Sequence, residues 1–173
     1  PARAAGKVIS ARCGAMSPSA SVAVCIARDR EAGAVLLVDT SAWIGLLRNV
    51  NLPAVQTLKR LLDSDILVAL TPLIFQEVLQ GAGSAAHFAT LQRYFADLPM
   101  FASPNPVATH VAAANLYCRC RWAGVTPRSA NDCLIAAMAI EHDLALLHDD
   151  RDFEQIARIE PQLRLFSFSA EQA

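Results

Sequence analysis

The chain has 173 residues and a net charge of −1, and 54% of its residues are hydrophobic while 18% are charged. This length suits one domain of ordinary size with an appendage, and such an apolar fraction excludes disorder as the dominant state. The near-zero net charge excludes a global positive field, so any nucleic-acid binding requires a local basic patch. No apolar run approaches the ~20 residues that span a bilayer. We therefore predict a cytoplasmic protein with no membrane segment.

The first residues differ from the rest of the chain. Residues 1–34 are rich in Ala, Gly, Ser and Arg and show no sustained hydrophobic period, which predicts a poorly ordered N-terminal extension. Their short apolar stretch VAVCIA is followed at once by Arg28 and Arg30, and this excludes a signal peptide. We predict one folded domain over 35–168 and a C-terminal tail over 169–173.

The five cysteines form no metal-ligand pattern. The CRC segment has no second CxxC or His pair that would complete a zinc site. Reduced thiols with a structural role, as is usual in the cytosol, are therefore the prediction.

From residue 35 onward, short apolar runs alternate with helical patterns. The runs that predict buried strands are 35–39, 66–70, 144–148 and 163–168. The patterns that predict helices are 41–48, a segment within 52–65, a segment starting at Thr71, 84–96, 106–122, 129–142 and 152–158. Strands that alternate with helices predict βαβ units, so the fold class is α/β with a mostly parallel sheet and right-handed crossovers.

Two helices carry clear start signals. Thr71 fits the N-cap of the third predicted helix, with Pro72 at its first position and Gly81 as its stop. Ser129 and Asp132 fit the N-cap and N3 positions of a capping box.

Acidic residues stand where the predicted fold would bring them together. Asp39 follows the first strand, and Asp149 and Asp150 follow the strand LALLH. Ligands of parallel sheets bind beyond the carboxyl ends of the strands, so these acids should reach the same edge. Glu77 lies beside the core face of its helix, and Asp132 occupies the first turn of an otherwise apolar helix.

Several carboxylates at one site repel and raise one another's pKa unless a cation lies between them. Oxygen-rich sites of this kind suit Mg²⁺ or Mn²⁺, which neutralise phosphate oxygens and activate water. The pattern therefore indicates phosphoester hydrolysis.

Each acid also has an ordinary structural interpretation. The sole role of Asp132 could be to complete a capping box, and Asp152 fits the N-cap of the last helix. Glu77 could pair with an arginine, and the two acids after LALLH could be turn residues. Asp39 is the hardest to explain in this way, because it follows a buried strand and precedes two residues suited to helix capping.

Four blocks occur in one order: VDTSAWI, TPLIFQEVLQG, GVTPRSANDCLIAAMA and LLHDDRDFEQIA. Together they resemble the PIN-domain ribonucleases, specifically the VapC-type toxins of bacterial toxin–antitoxin systems, over 35–168. The resemblance implies a three-layer α/β/α fold with a parallel sheet and an endoribonuclease activity that depends on Mg²⁺ or Mn²⁺. It also implies a VapB-type antitoxin that blocks the site, and commonly a toxin homodimer within a toxin–antitoxin hetero-oligomer.

The resemblance also implies roles for individual residues. The family's four acids fall on Asp39, Glu77, Asp132 and Asp150. Asp39, Asp132 and Asp150 would hold the metal, while Glu77 would ligate through water or orient the attacking water. The possible auxiliary residues are Thr40, Ser41, Asp149 and Asp152. Arg128 and Arg151 flank the acids and are predicted to contact RNA phosphates.

Two other functions stay open at this point. A catalytically silent module could capture a partner protein in a groove between PAVQTLKRLL and AAHFATLQRYF. An acidic α/β phosphohydrolase resembling the haloacid dehalogenases is less well supported, because Ser41 stands where that family has a second aspartate.

Overall fold

The computed structural model describes residues 35–64 and 66–166. The predictions for 1–34 and 169–173 lie outside these residues, as do the last two residues of the predicted domain. In the described part, three strands form one parallel sheet: β1 (Val35–Val38), β2 (Leu67–Ala69) and β3 (Ala145–Leu147). Their order is β2-β1-β3, so the predicted parallel α/β fold is confirmed.

Seven helices complete the described part of the chain: α1 (Thr40–Leu47), α2 (Pro53–Leu62), α3 (Pro72–Gln80), α4 (Ala85–Ala96), α5 (Pro106–Trp122), α6 (Ala130–Glu141) and α7 (Arg151–Ile159). The start signals of α3 are confirmed, since the Thr71 hydroxyl accepts a hydrogen bond from the backbone N–H of Ile74 and the helix is capped at Gly81. Within the described ranges, no helix is long and apolar enough to cross a membrane.

The strand order explains the layers. The chain leaves β1 through α1 and α2 to reach β2 on one side, and then returns past β1 to β3 on the other side. Because parallel crossovers are right-handed, two connections that move in opposite directions cover opposite faces of the sheet. β1 is thus the central strand of a three-layer α/β/α domain, and its Leu37 and Val38 are fully buried.

The predicted strand over 163–168 is wrong for the residues that the structure describes there. Leu165 forms a single parallel bridge with Leu146. The bridge consists of the bonds from the Leu146 N–H to the Arg164 carbonyl and from the Phe166 N–H to the Leu146 carbonyl. Among the described residues of this segment, Leu165 alone pairs with β3, so they form a bridge and not a ladder.

Three of the five cysteines lie in the described residues. Cys118, Cys120 and Cys133 are free thiols there, as predicted. Burial raises the pKa of Cys120, and it raises the pKa of Cys133 to about 12, so both thiols are unreactive at neutral pH.

Helix α1 packs closely on α2 at a glycine. A Cβ atom on Gly45 would lie 2.6 Å from Cγ2 of Val55. Val55 is fully buried, and a β-branched side chain has little rotamer freedom with which to move away. The absence of a side chain at Gly45 therefore sets the distance between the two helices.

We expect Gly45→Ala to lower the free energy of unfolding by about 1–3 kcal/mol, because the added methyl group overpacks a rigid contact. Urea denaturation measures the effect. Gly83→Ala is the matched control, since a Cβ there meets nothing within 4 Å. Equal stability of the two variants would contradict the packing argument.

Candidate active site

The carboxyl edge of the sheet brings the first acid beside the third strand. The backbone N–H of Asp39 donates to the carbonyl of Leu147 at 2.9 Å, which continues the parallel register of β1 and β3. Asp39 is only 5% exposed. The prediction that acids after these two strands reach the same edge is confirmed.

Asp39 is itself the N-cap of α1, where the sequence suggested Thr40 and Ser41. Its Oδ2 accepts hydrogen bonds from the backbone N–H of Ser41 at 2.8 Å and from Ser41 Oγ at 2.6 Å. Ser41 Oγ in turn accepts a bond from the backbone N–H of Asp149 at 2.9 Å. Burial raises the pKa of Asp39, and the bonds from Ser41 partly offset that effect. Ser41 thus joins the loops that follow β1 and β3, while the Asp149 side chain is exposed.

Glu77 is held by a donor on each oxygen. The Thr40 hydroxyl donates to Oε2, and Asn131 Nδ2 donates to Oε1 at 2.8 Å. Sequence reasoning missed Asn131, although its place beside Asp132 in the first turn of α6 was a usable signal. These bonds fix the orientation of a carboxylate that lies half-buried on α3.

The Asp132 side chain has no hydrogen-bond partner among the described residues. The predicted capping box is not formed, since Ser129 Oγ accepts from the backbone N–H of Asn131 and no bond returns from Asp132. The pKa of Asp132 is raised to about 7, first by burial and then by neighbouring negative charges. Those charges belong to Asp150, Asp39, Asp152 and Glu77. The four predicted acids therefore share one site; we call Asp39, Glu77, Asp132 and Asp150 the acidic cluster.

The other end of the acidic cluster carries a cation. Arg128 Nη2 donates to Asp150 Oδ1, and the same oxygen accepts the backbone N–H of Asp152 at 3.0 Å. Asp150 is therefore the N-cap of α7, and the prediction that Asp152 is the cap is wrong.

Asp152 lies in the first turn of α7, where its buried Oδ2 accepts hydrogen bonds from the backbone N–H of Arg128 at 2.7 Å and from Nε of Arg128 at 3.2 Å. Arg151 is exposed at the start of α7.

The oxygen atoms of the acidic cluster are of the chemical type that binds divalent cations. Carboxylate oxygens are the ligands that Mg²⁺ and Mn²⁺ prefer, and the unpaired, half-buried Asp132 is a charge that a cation would stabilise. The described ranges contain no group of three or more acidic, His or Cys side chains already spaced to hold a metal ion. Donors from the protein already occupy Asp39, Glu77 and Asp150.

Known proteins similar to this chain identify its family. The model of the PIN domain matches residues 36–159. The chain belongs to the PIN-domain family. It is 40% identical over 126 residues to VapC ribonuclease Mb1587 of Mycobacterium bovis and to Ribonuclease VapC11 of Mycobacterium tuberculosis, and each match covers 72% of this chain and 93% of the relative. The predicted resemblance to the VapC-type PIN ribonucleases is confirmed.

A solved structure supports the fold. The chain matches a chain of VapBC2 from Rickettsia felis, determined bound to a DNA fragment from its promoter, with a TM-score of 0.59 and 16% identity. The match covers 78% of this chain and 99% of that chain. At this identity the likeness shows the PIN fold alone.

The raised pKa of Asp132 predicts that the metal-free PIN domain loses stability as pH rises. The folded carboxyl has a pKa of about 7 and the ordinary value is 3.8, so the folded state holds the proton more tightly. This stabilisation is fully present below pH 3.8 and is lost as pH rises through about 7. Because the carboxyl keeps part of its contact with water, we expect a loss of about 1–2 kcal/mol.

Urea unfolding in EDTA at pH 5.5 and pH 8 measures this dependence. Asp132→Asn should remove this part of the pH slope, whereas Asp63→Asn, at an exposed acid after α2, should keep it. A wild-type slope in Asp132→Asn would contradict the assignment.

Proposed function

We propose that this chain is the ribonuclease toxin of a toxin–antitoxin pair and cleaves RNA phosphodiester bonds with Mg²⁺ or Mn²⁺ at the acidic cluster. The observation that carries the proposal is Asp132, a half-buried carboxylate without a hydrogen-bond partner in the described residues and surrounded by other acids. Such a charge is costly unless a cation compensates it. The identity to proteins named as VapC ribonucleases supports RNA as the substrate.

The acids divide into two roles. Asp39, Asp132 and Asp150 would hold the cation, and Glu77 would ligate through water or act as the general base that orients the attacking water. When bound, the cation would neutralise charge on the scissile phosphate and lower the pKa of water. Thr40 and Asn131 each donate to one oxygen of Glu77 and so fix the orientation of this carboxylate.

The basic residues supply phosphate contacts in this proposal. Arg128 and Arg151 lie beside Asp150 in sequence or space and both are exposed. Guanidinium groups bind phosphate in a bidentate manner. The net charge of −1 leaves the recruitment of RNA to such local groups.

Partners follow from family membership. We propose a VapB-type antitoxin that covers the acidic cluster, and a match to a chain of a VapBC complex is consistent with this partner. Homodimerisation and the cytoplasmic location stay predictions.

A silent protein-binding module is the weaker alternative. The groove suggested for it needs apolar side chains of α2 and α4, but Leu58, Leu61 and Phe95 of these helices are buried in the core, and among the large apolar side chains of the two helices Phe88 is exposed. That observation favours the enzyme.

We expect Asp39→Asn to reduce RNA cleavage by at least about 100-fold, because it removes a charge that stabilises the reacting centre. The asparagine can still accept the bonds from Ser41, so the helix cap and the fold should persist. The measurements are cleavage of a labelled RNA, circular dichroism and Mn²⁺ titration. Asp63→Asn, which makes the same chemical change away from the cluster, is the control.

Full metal-dependent activity in Asp39→Asn would contradict the proposal. Wild-type protein that neither cleaves RNA nor binds Mn²⁺ would favour the silent module.

A further inference from the structure

Arg128 is attached to two carboxylates by different parts of one side chain. Its backbone N–H and its Nε both donate to Asp152 Oδ2, at 2.7 and 3.2 Å. Its Nη2 donates to Asp150 Oδ1. The near end of the side chain is thus bound to one acid and the far end to another.

The two attachments differ in their access to solvent. The Asp152 side chain is 7% exposed, whereas those of Asp150 and Arg128 are 28% and 71% exposed. A buried charge that loses its partner costs far more than an exposed one, so Asp152 should keep its bonds to Arg128. The exposed contact with Asp150 can exchange with water or another ligand at little cost.

Two different partners therefore compete for Asp150. In the proposed function it helps to hold a divalent cation, yet in this structure its Oδ1 already accepts a guanidinium and a backbone N–H. A cation and a guanidinium at one carboxylate also repel each other.

We propose that Asp152 is a positioning residue that anchors the near end of the Arg128 side chain, which then acts as a pivot. In the free protein the Nη end binds Asp150. When a divalent cation binds Asp150, the Nη end is displaced toward the RNA phosphate. The inference rests on the proposed metal site and adds a competition within the chain. It also gives Asp152 a task other than capping or metal binding.

The pivot predicts that Arg128 weakens metal binding in the absence of RNA. We would titrate the full chain with Mn²⁺ and follow the electron paramagnetic resonance signal of the free ion. Arg128→Gln should bind Mn²⁺ at least about fivefold more tightly than wild type, because Asp150 is released. Arg151→Gln is the matched control, since it removes the same charge from the residue next to Asp150, and it should change the affinity by no more than about twofold.

Arg128→Lys separates competition from simple charge repulsion. Lysine keeps the charge but lacks the fork that reaches two acids at once, so its Mn²⁺ affinity should approach that of Arg128→Gln. If Arg128→Lys matches wild type, or if Arg128→Gln matches Arg151→Gln, the pivot is wrong. Absence of Mn²⁺ binding in every protein, wild type included, would instead overturn the metal site on which the pivot rests.

Loss of Arg128 leaves Asp152 buried without its cation, so Arg128→Gln could unfold. The double variant Asp152→Asn/Arg128→Gln removes that charge and serves as the folded substitute, with the same expected gain in Mn²⁺ affinity. Asp152→Asn alone is its reference.

The anchor itself is visible by nuclear magnetic resonance of arginine side chains. In wild type, the Nε–H of Arg128 should exchange with water more slowly than that of Arg151, with and without Mg²⁺. The Nη protons of Arg128 should show hindered rotation only without Mg²⁺. An Arg128 Nε–H as labile as that of Arg151, or Nη protons unaffected by saturating Mg²⁺, would overturn the pivot.

Discussion

Repulsion among buried carboxylates is the constraint on which this structure depends. Asp132 has four acidic neighbours, and its pKa is raised to about 7. Each of the other acids in the cluster is bound by donors from the protein: Ser41 on Asp39, Thr40 and Asn131 on Glu77, and Arg128 on Asp150. Asp132 alone among the four has no such donor in the described residues, and this is why we propose that a cation compensates its charge.

Helix starts make this concentration of acids tolerable. Asp39 and Asp150 are the N-caps of α1 and α7, and Asp132 lies in the first turn of α6. Unsatisfied N–H groups and the positive end of the helix dipole stabilise anions at these positions. For Asp39 and Asp150, capping a helix and the proposed metal binding are therefore compatible roles. Asp39 shows this most directly, because it follows β1 at once and caps α1.

Patterns local to the chain were predictable, and pairings between distant segments were less so. The Thr71 cap and the strand before Asp39 depend on neighbouring residues, and both were predicted. The Asn131–Glu77 bond joins residues far apart in sequence; the place of Asn131 beside Asp132 could have marked it as a site residue, but not Glu77 as its partner. The predicted strand over 163–168 was wrong for its described residues for a similar reason, because its pairing with β3 depends on residues distant in sequence, and there Leu165 forms a single bridge.

The sequence by itself determined the α/β class, the family and the acids that meet at one edge, because strand periodicity, helix caps and four ordered motifs are written in consecutive residues. Only the tertiary structure decided which carboxylate oxygens accept hydrogen bonds from the protein itself. Arg128 was predicted as a phosphate contact and Asp150 as a metal ligand, yet they bind each other. Their pairing depends on Asp152, which is buried by the packing of α7. A buried carboxylate needs a partner nearby, and which group is near enough depends on the tertiary structure. Residue type alone does not predict it.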